Sequence, residues 1–166
     1  MVLLIQWLHV LLGIFWFGGS LYLNFMVIPV LLKLPLGQQR EVGIPLGARS
    51  NQILPLISIL VILSGLLRGT VWGPVQSFPF LFGTAYGVTF LISLLVAGAV
   101  ELWGHFVVGK AAAELNSFPI AEVLKPRSAV ALAFNAQVHR VMLFSLVELL
   151  GFFIIFTCMI LMRFGL

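Results

Sequence analysis

Long apolar runs separated by short polar stretches are the first feature of this chain. A helix needs roughly 17–25 mostly apolar residues to cross the hydrocarbon core of a bilayer. Four segments meet that length, at about 2–32, 51–67, 80–113 and 128–163. The first carries His9, Asn24 and Pro29 but lacks the early basic residues and short apolar core of a cleaved signal peptide, so it reads as a true span. Residues 33–50 are rich in Gly, Pro, Gln and Arg and read as a loop. Gly73, Pro74 and Pro79 mark a second, shorter connection, and 114–127 a polar third one. Ser128 is the expected N-cap of the last span. Four spans with short connections predict an all-α, integral-membrane, up-down four-helix bundle that forms one domain over residues 1–166.

Composition strengthens this reading. Hydrophobic residues make up 61% of the 166, charged residues only 8%, and Asp is absent. A soluble domain carries about a quarter charged residues because water faces its whole surface. The natural solvent for this surface is the lipid bilayer, which excludes a soluble enzyme, a nucleic-acid-binding domain and a disordered chain. The single cysteine, Cys158, excludes an internal disulfide.

The net charge of +4 is read as topology rather than as an acidic partner. Lys33, Arg40 and Arg49 lie in the first loop, and Lys110, Lys125 and Arg127 in or near the third; the opposite side holds Arg68 and Arg163. The positive-inside rule then places the two longer loops in the cytoplasm and both termini outside.

Few ionisable groups remain within the spans: His9, Glu101, His105, His139, Arg140 and Glu148, with Asn24 and Asn135 as neutral polar companions. Such residues are costly in lipid and are functional candidates by default. At about 1.5 Å per residue, His105 lies roughly 12 Å before the end of span three and His139 roughly 16 Å after the start of span four. Antiparallel packing of these spans would put both histidines at one depth, with Asn24 in the same half. Glu101 and His105 are four residues apart, as are Asn135 and His139, so each pair shares a helix face.

Two opposed histidines among small residues suit the axial ligation of a b-type haem, with Glu101 and Asn135 behind them. With Glu101 they instead suit a 2-His-1-carboxylate transition-metal site, and the residues also suit an interhelical network that is structural or handles protons. His9 lies some 25 Å away along the bundle, near the level of Cys158, Met159 and Met162. That soft set suits copper(I) or a His/Met haem. Glu148, near mid-membrane, is expected to be protonated or to find Tyr86, Thr89 or Ser93 as a partner across the bundle, with a proton relay as the alternative role.

Span one contains Leu8-His9-Val10-Leu11-Leu12-Gly13-Ile14-Phe15-Trp16-Phe17-Gly18-Gly19. This L-H-x-x-x-G-x-x-W-x-G-G pattern resembles the first helix of related bacterial membrane families: CopD-like copper-transport proteins, the membrane part of urate oxidase–cytochrome c fusions, and HemJ-type protoporphyrinogen oxidases. The resemblance covers about 30 residues. It implies a bacterial inner-membrane protein whose helix-one histidine, here His9, binds haem or lines the functional cavity. HemJ-type proteins pair that histidine with a lysine on helix three; here Lys110 lies at the far end of span three. The leading expectation is thus a haem-binding, electron-transferring or haem-handling protein, a membrane oxidoreductase or its redox unit. Copper handling and a non-enzymatic membrane partner subunit, including a homo-oligomer, are the alternatives.

Overall fold

In a bilayer every backbone polar group must be satisfied within the protein, so each apolar run closes its own hydrogen bonds as a helix. The computed structural model describes residues 1–165. Four long helices carry the chain: α1 (Val2–Leu31), α2 (Leu36–Gly69), α4 (Ala85–Ser117) and α6 (Ala129–Phe164). Two short helices, α3 (Phe78–Gly83) and α5 (Ile120–Val123), sit in the connections. All four long helices are long and apolar enough to cross a membrane, as expected of an all-α, multi-pass membrane protein. They span 30–36 residues each, about 45–54 Å at 1.5 Å per residue, so their ends extend well past the hydrocarbon core.

Residues 36–50, expected as loop, are instead the first four turns of α2. Pro35 starts the helix from an extended conformation, and Gln39 donates to the Leu34 carbonyl at 2.7 Å to close the turn. Arg40 ties this segment across the bundle to the carbonyls of Leu115 and Phe118. Pro45 and Pro55 lie inside α2. A proline there removes one helical N–H, a local loss that packing against neighbouring helices offsets. Local composition therefore reads as loop, and tertiary contact overrides it. Ser128 caps α6 as expected, its hydroxyl accepting from the Ala131 N–H at 3.0 Å. Thr84 caps α4 in the same way through Gly87 N–H.

α1 packs chiefly on α2, and α4 on α6; contacts between α2 and α4 join the two hairpins. All four long helices meet in one core formed by Trp16, Val61, Ala97, Val100, Leu149 and Phe152. The Trp16 and Phe152 rings meet edge to face with centroids 4.7 Å apart, a favoured aromatic geometry. Polar cross-links reinforce the α4–α6 hairpin. Trp103 Nε1 donates to the Phe144 carbonyl at 3.0 Å, and buried Gln137 donates to both Ala111 O and Glu114 Oε2 at 2.9 Å. Gln137→Leu is expected to cost about 1–2 kcal/mol, since it orphans both acceptors, although bonds between membrane helices are individually weak. Thermal unfolding in detergent checks this; an unchanged midpoint would show the cross-link to be dispensable.

Candidate functional site

Among the described residues the antiparallel helices frame two cavities, one on each side of the core. The terminal-side cavity, about 680 Å3, lies between the ends that carry the chain termini; the loop-side cavity, about 310 Å3, lies between the ends joined by the 32–35 and 118–128 connections. Trp16, 4% exposed, is the wall common to both.

His9 is the best-fixed polar group of the terminal-side cavity. Its Nδ1 is 3.1 Å from the Val61 carbonyl and 3.1 Å from Ser64 Oγ, which itself donates to Val61 O at 3.0 Å. A carbonyl only accepts, so these bonds place the ring proton on Nδ1 and leave Nε2 with its lone pair. No hydrogen bond engages Nε2 among the described residues. The ring lies against Gly65, where a Cβ would stand 2.8 Å from His9 Cε1. Only a residue without a side chain admits the imidazole in this position. The cavity is otherwise mostly apolar and aromatic, with Phe17, Phe90, Phe152 and Phe156 in its lining. Met159 and Met162 line it too. Cys158 is buried but is not among the lining residues, so the expected His, Cys and Met set assembles without its cysteine.

Arg68 and Arg163 give this cavity its charge, and among the described residues no carboxylate side chain lines it. Arg68 is oriented by Gln6, whose Oε1 accepts from Nε at 2.9 Å, and by the Trp72 carbonyl at 3.2 Å. The chamber thus combines an apolar body, one pre-oriented imidazole and two cations.

The loop-side cavity has the opposite character. Glu101 and His105 from α4, Glu148 from α6, Asn24 from α1 and Asn51 from α2 line it. Asn24 donates to the Ser20 carbonyl at 2.9 Å. Both α1 and α4 widen into a single π-helical stretch here, at Leu23–Val27 and Gly104–Val108. Such stretches are often found at functional sites because they re-aim side chains within a helix.

The expected facing of His105 and His139 is not found. His105 lines the loop-side cavity with its ring edge-on to Phe106, whereas His139 and Asn135 are exposed on α6 and do not line it. Helix geometry explains the difference. Gln137 turns inward, and two residues later the helix has rotated by about 200°. Depth along a helix therefore does not fix facing. The expected partners of Glu148 also lie elsewhere, because Tyr86 and Ser93 line the terminal-side cavity. Among the described residues no group of three or more His, Cys, Asp or Glu side chains is placed to hold a metal ion. Any metal at His9 would thus draw on sulfur or on an exogenous ligand.

Sequence reading overlooked Gln137, Asn51, Ser64 and Gly65. The Ser64-Gly65 pair in an otherwise aliphatic stretch was the available signal, since small residues mark close helix approach in membranes. No family model matches the chain, and neither a curated protein nor a solved structure shows significant similarity to it.

Proposed function

We propose that this membrane protein binds a b-type haem in the terminal-side cavity, with His9 as axial ligand. The observation that carries the reading is the fixed imidazole: Nδ1 is tethered to Val61 O and Ser64 Oγ, and the tautomer leaves Nε2 free to ligate. A backbone carbonyl behind the distal ring nitrogen is the usual way a protein orients a ligating histidine. Cavity size and lining fit a flat apolar cofactor, and about 680 Å3 falls within the roughly 300–1,000 Å3 range of small-molecule sites. Arg68 and Arg163 suit its two carboxylates. Met159 and Met162 line the same cavity and would offer thioether donors to the iron. The iron is assigned to His9 rather than to a site between His105 and His139, because those two side chains do not share a cavity.

Bound haem would supply one-electron chemistry. The chain's own contribution is to hold the ring, exclude water and balance the carboxylates. The reading implies a redox partner on the terminal side, which by the positive-inside rule would lie outside the cytoplasm. Purified protein expressed with haem supply is expected to show a Soret band, lost in His9→Ala and retained in His139→Ala. Colourless wild-type protein, or an unchanged spectrum in His9→Ala, overturns the reading.

Copper(I) handling is the second reading, supported by His9, Met159 and Met162 lining one cavity. It predicts bound copper by elemental analysis, lost in Met159→Leu/Met162→Leu, and no Soret band.

A further inference from the structure

The carboxyl groups of the loop-side cavity pose a charge problem that the haem reading does not address. Glu101 follows core residue Val100 directly, and Glu148 precedes core residue Leu149, so both stand near the middle of the bundle. By rise per residue, Glu148 is about 29 Å from the start of α6, a helix of about 54 Å. An ionised carboxylate at such depth is expensive unless a cation or several donors balance it. Neither group has a hydrogen bond or ion pair among the described residues, where the one ion pair joins exposed Lys125 and Glu122.

Every helix packed around the cavity can be inspected for the missing charge. From α1 come Ser20 and Asn24, neutral; from α2, Ser50, Asn51 and Arg40; from α4, Glu101 and His105; from α6, Ser145 with Glu148 itself. Arg40 is spent at the loop end, where it donates to Leu115 O and Phe118 O. It stands 15 residues before Pro55, the deepest lining residue of α2, or about 22 Å along the helix. His105 lies one turn nearer the loop end than Glu101 and is exposed. The second carboxylate, Glu101, adds repulsion rather than balance. Glu148 Oε1 is pressed against the backbone of α4, 2.7 Å from where a Gly104 Cβ would be.

We propose that Glu148 is a proton-binding site in the middle of the membrane, with the Glu101 carboxyl as its neighbour and the loop-side cavity as its route to water. The chemistry is a simple exchange: hydronium gives its proton to the Glu148 carboxylate and leaves water, and no electrons move. A second carboxyl in the same cavity disfavours an ionised Glu148 through like-charge repulsion. The cavity reaches Gln39, Arg40 and Asn116 at the loop ends of the helices, and the proton enters from that side. The Trp16 core closes the way to the terminal side. The site is therefore a one-sided proton acceptor, independent of whether haem binds at His9.

The test uses the full-length protein and dicyclohexylcarbodiimide, which modifies protonated carboxyls in apolar surroundings, with the labelled residue located by mass spectrometry. Wild-type protein is expected to be labelled at Glu148 at neutral pH, with a rate that falls about tenfold per pH unit once the group ionises. Glu101→Gln removes the like charge, so the fall is expected at lower pH. In sealed, oriented vesicles the rate follows the pH of the loop-side solution. Absence of label at Glu148 at any pH overturns the proposal, as does a profile unmoved by Glu101→Gln or one that follows the terminal-side pH. The wild-type measurement stands even if a variant fails to fold.

Discussion

Trp16→Ala is expected to join the two cavities and make vesicles that carry the variant leak protons. Trp16 is the single side chain that walls both chambers among the described residues, and it packs edge to face on Phe152, itself 3% exposed. Removing an indole from a packed core typically costs about 3–5 kcal/mol. Here the cost should fall toward the lower end, because lipid is itself apolar and helix association in a bilayer draws on packing rather than on escape from water. What remains is lost contact and a void that bridges the Glu148 side to the His9 side. Dissipation of an imposed pH gradient measures the leak. Phe17→Ala is the comparison, since Phe17 lines only the terminal-side cavity and should leave the gradient intact. A Trp16→Ala vesicle as tight as wild type would show that the barrier lies elsewhere.

Gly65→Val should disable the His9 site without touching His9. Even the first carbon of a side chain at position 65 would sit 2.8 Å from Cε1 and 3.4 Å from Nδ1 of the imidazole. The ring must swing away from Val61 O and Ser64 Oγ, which releases the tautomer and the aim of Nε2. Overpacking of this kind costs about 1–3 kcal/mol, so the bundle should survive while the ligand position does not. The expected readout is loss or a marked weakening of haem absorbance with four-helix content intact by circular dichroism. Gly18→Val, at a position where an added Cβ meets nothing within 4 Å, serves as control. Full haem occupancy in Gly65→Val would argue that iron binds away from His9. Colourless wild-type protein would instead dismiss haem altogether, so the two failures can be told apart.

Membrane placement, helix number and antiparallel order were legible from the residues, because they follow from apolar run length and the bilayer's demand for internal hydrogen bonding. The Ser128 cap was legible for a similar reason: its chemistry is local. The separation of His9 from His105 into opposite halves also followed, since rise per residue fixes depth. Rotation about the helix axis did not follow. Residue spacing puts His105 and His139 near one depth, yet the facing of a helix is set by which side packs inward, and Gln137 rather than His139 takes that side. The π-helical stretches at Leu23–Val27 and Gly104–Val108 shift the facing again in a way that spacing alone does not announce. Helical residues 36–50 show the same limit, because Arg40's cross-bundle bonds hold a segment whose composition favours a loop. Sequence alone determined how deep each ionisable group lies, a one-dimensional quantity carried by the chain itself. Tertiary structure decided which of them meet, placing Glu101 and Glu148 in one cavity and His9 with two methionines in the other, because contact depends on the rotation and close approach of helices distant in sequence.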